Sequence, residues 1–190
     1  MVDGQAGDCD LLLRRRAALI CKSDSLALHA GVTCPCASTL RFPRVSAPPI
    51  WLTALPFQPT QPPGLVDTFV SHCTDCRKIT ASTFATNFIV QSPAVEHVRG
   101  ADLLSTFAQS STIASGNQMT NHFCSRCGSL LYRVSSGFPG VLVMHVGTVD
   151  DFTLHEGALK PRAEQYVKDK IGWLKGIEGV RQTQGSWRDE

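Results

Sequence analysis

Ser71-His72-Cys73-Thr74-Asp75-Cys76-Arg77-Lys78 and Phe123-Cys124-Ser125-Arg126-Cys127-Gly128-Ser129 are the most informative stretches of the chain. Each holds a C-x-x-C pair. That spacing lets one tight turn aim two thiolates at a single ion about 2.3 Å away. Gly128, directly after the second pair, suits the left-handed residue of such a turn. A single C-x-x-C is also the spacing of a redox pair or of two buried thiols. Two of them, separated by a strand-rich stretch, point to zinc, because a redox pair needs no second pair.

Six of the eight cysteines lie in close pairs, the third pair being Cys34-Pro35-Cys36. A C-x-C is a half-site that needs partners from elsewhere in the chain. Cys9 and Cys21 are isolated and read as free thiols. The apolar stretch 11–20 is broken by three arginines, which excludes a secretory signal, and Asp3, Asp8 and Asp10 argue against a mitochondrial presequence. Paired cysteines in a chain without an export signal read as metal ligands rather than disulfides, since cytosolic thiols stay reduced. A cytoplasmic location is expected, with the nucleus as the alternative. The net charge of +2 is too small to indicate nucleic acid or an anionic membrane as a partner. No apolar run reaches the roughly 18 residues of a membrane helix.

Residues 1–33 form an irregular N-terminal segment with little periodicity. Residues 34–65 combine the C-x-C half-site with a loop rich in proline, which can enter neither a central strand nor a helix interior. The organised part spans 66–176, with 177–190 as a tail. Within it, Thr83–Val90 places Phe84, Phe88 and Val90 on one side of a strand. Ser129–Val134 and Val141–Val146 read as further strands joined by hairpin chemistry at Ser135–Gly140, and Leu103–Ala108 as another. Tyr166, Val167, Ile171 and Trp173 are the expected anchors of the C-terminal part. Two wirings are open at this point. Cys73, Cys76, Cys124 and Cys127 could hold one closed zinc. Alternatively, Cys34 and Cys36 join Cys124 and Cys127 in a closed site, and Cys73 and Cys76 hold a second zinc with an open position, the arrangement that supports catalysis.

The stretch 71–78 resembles the C-H-C-x-x-C-R-K signature of the CENP-V/GFA domain family, named for glutathione-dependent formaldehyde-activating enzyme and centromere protein V, in a form similar to fungal members. Phe123–Ser129 with Leu131-Tyr132, the turn Val146–Asp151, and Lys160-Pro161 through Leu174 are similar to later segments of that family, in order. The resemblance implies a mostly β fold of small coiled antiparallel sheets around zinc, a β-tent, and it implies the second wiring. A structural Zn2+ would be held by Cys34, Cys36, Cys124 and Cys127, and a catalytic one by the Cys73/Cys76 element. It implies a carbon–sulfur lyase that condenses formaldehyde with glutathione into S-hydroxymethylglutathione. A zinc with an open position lowers a thiol's pKa and delivers a thiolate to an aldehyde carbon, and Arg77 and Lys78 stand where they could meet glutathione's carboxylates.

Two departures from the family pattern bear on this. Ser71 stands where the first signature cysteine belongs, and a neutral hydroxyl is a much poorer zinc ligand than a thiolate. Adjacent residues of an extended chain point to opposite sides, so His72 is a weak substitute, and His122 and His145 read as structural. Second, Ala37 rather than glycine follows Cys36, and the proline-rich stretch widens the gap to the signature. Residues 43–70 therefore read as an insertion or a mis-assembled gene segment. The competing functions are a glutathione–aldehyde enzyme, a non-catalytic zinc module for protein interaction, and a degenerate homologue with only a structural zinc.

Overall fold

The computed structural model describes residues 31–33, 39–41 and 62–186. Cys9, Cys21, Cys34, Cys36 and the proline-rich stretch up to residue 61 lie outside these. The described chain is mostly β, as expected. Its strands are β1 (Gly31–Thr33), β2 (Thr39–Arg41), β3 (Leu65–Ser71), β4 (Ala85–Gln91), β5 (Glu96–Arg99), β6 (Leu104–Gln109), β7 (Met119–Cys124), β8 (Leu130–Ser135), β9 (Val141–His145), β10 (Ala163–Gln165) and β11 (Arg181–Gln182). The two short helices are α1 (Thr74–Thr80) and α2 (Thr153–Glu156). The strands make one open eight-stranded sheet, ordered β11-β10-β3-β4-β9-β8-β7-β6, and a three-stranded sheet, β1-β2-β5. Most neighbours are antiparallel, but β10 runs parallel to both β3 and β11, so the large sheet is mixed.

Alternation along the strands sorts the side chains onto two faces. Phe88 pairs with Met144, and Met144 with Tyr132, so these lie on one face. There they join Leu65, Val90, Cys124, Val146 and Leu159 in the main core. The intervening residues build the second face, where Phe69, Ile89 and Ala163 pack with Val141 and Val143. A strand covered on both faces carries a continuous buried run, as Asn87–Val90 does. Complete burial of one side chain such as Phe88 contributes about 1.5–3 kcal/mol before the entropy of ordering it.

The strands expected at 83–90, 103–108, 129–134 and 141–146 are present with ends shifted by one or two residues. The turn between β8 and β9 closes on Gly140 at φ +83, where a side chain would be strained. Three expectations are corrected. Leu65–Ser71 is hydrogen-bonded on both sides, to β4 and to β10, so residues 65–70 of the supposed insertion are an integral strand. The expected tail from 177 returns to the sheet as β11, and Thr183, 1% exposed, donates its N–H to Glu164 O. Trp173 anchors nothing: it is 68% exposed, its indole outside both cores.

The connection between the two sheets positions the second C-x-x-C. Thr39, at the turn end of the β1–β2 hairpin, pairs with Arg99, the last residue of β5. Five residues later Leu104 pairs with Cys124, the last residue of β7. The Thr39 end of that strand pair and the Cys124 end of β7 are therefore joined through the short connection 99–104.

Candidate thiol site and cysteine turn

Cys73 and Cys76 sit where β3 passes into α1. Cys73 is the residue before the first helical turn, and its Sγ accepts the backbone N–H of Cys76 at 3.1 Å. Asp, Asn and Ser do this at most helix starts; here a sulfur does it. Ser71, 1% exposed, accepts the backbone N–H of Cys73 on its Oγ at 3.4 Å. Two thiols and one hydroxyl thus converge. His72 turns the other way, as alternation predicts. It is fully buried, edge-on to Phe84, with Nε2 3.2 Å from Glu164 Oε1. Glu164 also accepts from Ile177 N and Gln182 Nε2, so His72 tethers the C-terminal segment rather than serving the thiols.

Above Cys76 lies a residue that no sequence motif marks. Arg133 is 4% exposed, on the second face of the sheet. Its Nη2 donates to Asp75 Oδ2 at 2.7 Å, its Nε to Asn121 Oδ1 at 2.7 Å, and its Nη1 lies 3.6 Å from Cys76 Sγ. Asp75 Oδ1 accepts from Gln109 Nε2 and Thr112 Oγ1, which clasps the loop after β6 onto α1. A buried guanidinium is tolerable only when its donors are paired, and here every branch has a partner.

This setting divides the two thiols. Cys73 is pulled from 9.0 to about 6, first by the hydrogen bond from the Cys76 thiol, then by the Ser71 hydroxyl, the Cys76 amide and Arg133; burial opposes the shift. Cys76 is pushed well above its ordinary value by that same bond to Cys73 and by burial. The pair therefore loses its first proton easily, from Cys73, and holds the second. His145 shares this face of the sheet. It is buried with Nε2 unpartnered, and burial, aided by Arg133, lowers it to about 4.

The donor set was tested against the expected second zinc. Among the described residues, no three of His, Cys, Asp and Glu lie close enough together to hold a metal ion. Ser71 offers a hydroxyl where a third thiolate belongs, and the fixed cation of Arg133 already faces the Cys76 sulfur. His122 lies on the opposite face, stacked on Tyr132 at 4.3 Å. The set does not fit a resident three-ligand zinc.

Cys124 and Cys127 form a separate place. Cys124 is fully buried on the main-core face and Cys127 is exposed. Gly128 N–H donates to Cys124 O at 2.8 Å, with Gly128 at φ +74, so the turn has the left-handed glycine that its sequence implied. Ser125 N–H donates to Leu103 O, tying the turn to the path from the small sheet. Cys76 meets Arg133 on the second face, whereas Cys124 is buried in the main core, and among the described residues no three of these cysteines come together, so the single four-cysteine site of the first wiring is not formed. The signal for Arg133 was present in its strand: a charge among Leu130–Ser135 either faces solvent or needs buried partners.

A mixed β-sheet carrying a paired-thiol site on one face and a cysteine turn on the other is the class these observations define. The family described as glutathione-dependent formaldehyde-activating enzyme matches residues 54–169, a span holding both C-x-x-C pairs and Arg133 but neither Cys34 nor Cys36. The chain belongs to that family. No curated protein matches it. Among solved structures, a structural-genomics protein of Rhodobacter sphaeroides aligns at 15% identity with a TM-score of 0.42, over 80% of this chain and 98% of that one. Among the described residues no helix is long and apolar enough to cross a membrane.

Proposed function

We propose that the chain is a glutathione-dependent enzyme of the formaldehyde-activating kind. It joins the glutathione thiol to the carbonyl carbon of formaldehyde, giving S-hydroxymethylglutathione, a carbon–sulfur lyase reaction. The supporting observation is the convergence of Cys73, Cys76 and Ser71 beneath Arg133 inside the matched family segment. In the reaction a sulfur–carbon bond forms and the carbonyl oxygen takes up a proton. Arg133, held by Asp75 and Asn121, offers a preorganised donor to an anionic sulfur or oxygen and need not reorganise during the reaction. The Ser71 hydroxyl stands beside both sulfurs and supplies a proton route. Lys78 is exposed beside the site, available to a carboxylate of the tripeptide.

One structural zinc completes this reading, held by Cys34, Cys36, Cys124 and Cys127. The register from Thr39 to Arg99 and from Leu104 to Cys124 supports it, as does the chemistry of four thiolates. Such an ion would tie the small sheet to the β7–β8 turn. No step of the reaction is assigned to it.

Ser71 favours a second reading, a homologue that keeps the structural zinc and has lost the lyase reaction. Exchange spectroscopy of formaldehyde with glutathione separates the two. Acceleration over buffer that is lost in Cys73→Ser and Arg133→Met supports the enzyme. Exchange at the buffer rate with folded protein supports the homologue without activity.

A further inference from the structure

We infer that β6 is a self-association edge, to which a second copy of this chain adds its own β6 in the antiparallel sense. This goes beyond the lyase reading and does not depend on it. β6 closes one end of the large sheet and pairs on one side only, with β7. Ser125 N–H donates to Leu103 O, in the same register that sets Leu104 against Cys124 and Phe107 against Asn121. Hydrogen-bonded and non-hydrogen-bonded pairs alternate along an antiparallel ladder. Ser105, Phe107 and Gln109 therefore turn their backbone groups toward β7, and Asn121 Nδ2 adds a bond to Phe107 O at 3.3 Å. Leu104, Thr106 and Ala108 turn theirs outward. Leu104 N–H is taken by Ala101 O. The N–H and C=O groups of Thr106 and Ala108 meet no partner among the described residues. Thr106, Phe107 and Ala108 are exposed in succession, Phe107 by 55%.

The chemistry of the strand selects the occupant. Edge strands are ordinarily blunted by charge, proline, a bulge or shortness. The opposite end of the sheet is blunted in this way: β11 has two residues, one of them an exposed arginine. β6 has six residues, Leu-Ser-Thr-Phe-Ala-Gln, with no charge, no proline and no register shift against β7. An acidic or basic strand would find no counter-charge on it, whereas a second β6 brings none to oppose. A two-fold axis through Phe107 sets Thr106 of each copy against Ala108 of the other. Those two pairs use every free N–H and C=O of both residues and leave Leu104 N–H in its own turn. Phe107 then faces its counterpart in the intervening pair, where the Cα atoms stand about 4.5 Å apart and aromatic side chains pack across the strands. Two strands of this length cover less than the roughly 1,200 Å² of a stable interface, so the dimer is weak and reversible. It closes at two copies, because each β6 consumes the other and β11 offers no second long edge.

The test is sedimentation equilibrium of the full chain as purified, under reductant, from roughly 1 μM to 1 mM. The average mass should rise from one chain to two and no further. Phe107→Lys sets two cations together on the axis and should raise the dissociation constant about ten-fold or more, with the circular dichroism unchanged. Phe107→Cys brings two thiols to a Cα separation that suits a disulfide. Mild oxidation of that variant should therefore give a peptide linked from position 107 to position 107. Thr106→Cys should give about ten-fold less of the corresponding 106–106 link, because its counterpart in this register is Ala108. A wild-type chain that stays single at the highest concentration would overturn the inference and leave the edge to another segment or another protein. A dimer that Phe107→Lys does not weaken, or equal linkage at 106 and 107, would overturn it as well by placing the contact elsewhere. The wild-type series decides the matter even where a variant fails to fold.

Discussion

Arg133 and Asp75 meet at 2.7 Å, one from the middle of β8 and the other from the first turn of α1. The contact fastens the helix that carries Cys76 to the second face of the sheet. The Arg133 side chain is 5% exposed and that of Asp75 19%, so the pair is shielded from water and little screened by salt. Removing Asp75 leaves a buried cation with one branch unpaired and frees Gln109 and Thr112 from the helix. Asp75→Ala should cost roughly 3 kcal/mol of stability in urea unfolding. Arg133→Met should cost less, because Asp75 keeps two other donors. A loss under about 0.5 kcal/mol for Asp75→Ala, the range of an exposed pair, would contradict this.

That contact joins residues 58 positions apart, beyond the reach of any local sequence pattern. The strands β4 and β9 were legible because Phe88, Val90 and the apolar run at 141–146 carry their own periodicity. The turn of His72 away from the two thiols followed from alternation alone. Arg133 did not, since an arginine between Tyr132 and Val134 reads as the wet side of a half-buried strand. Its partners on α1, Asp75 and Cys76, come from a remote part of the chain. The strands β10 and β11 have three and two residues and pair in parallel, too short for any local pattern. The two cysteine pairs were visible, but their separation onto opposite faces depends on strand register.

The uneven thiols give a second prediction. Alkylation of Cys73 should rise through a midpoint near pH 6, because its thiolate is held by the Cys76 thiol and the Ser71 hydroxyl. Cys76 should remain unmodified well past the pH at which an ordinary thiol reacts. Peptide mapping after brief iodoacetamide pulses reads both. A single midpoint near 9 for the two cysteines would show that the hydrogen-bonded pair is not formed.

His145 supplies a third. Its pKa falls from 6.5 to about 4 in the folded chain, chiefly through burial. Between those values the unfolded chain binds a proton that the folded one does not, so stability rises with pH across that window. The contribution is complete above about pH 6.5 and is lost as the pH falls toward 4, roughly 3 kcal/mol in all. His145→Gln should flatten that part of the profile. An unchanged profile in the variant would place the titration elsewhere.

The Ser71 hydroxyl gives a fourth. Ser71→Cys supplies the third thiolate that the pair lacks, and the variant should bind one more zinc per chain than the wild type. Its thiols should then be shielded from alkylation by iodoacetamide until a chelator removes the ion. A variant whose zinc content and alkylation match the wild type would show that more than residue 71 separates this site from a metal centre.

We propose that the chain holds zinc at the Cys124/Cys127 turn and keeps Cys73 and Cys76 as free reacting thiols. Zinc per chain, measured by elemental analysis on wild type, Cys73→Ser and Cys124→Ser, tests it most directly. The expected content is about one zinc in wild type, the same in Cys73→Ser, and none in Cys124→Ser. About two in wild type, falling to one in Cys73→Ser, would contradict it and return Cys73 and Cys76 to the role of metal ligands.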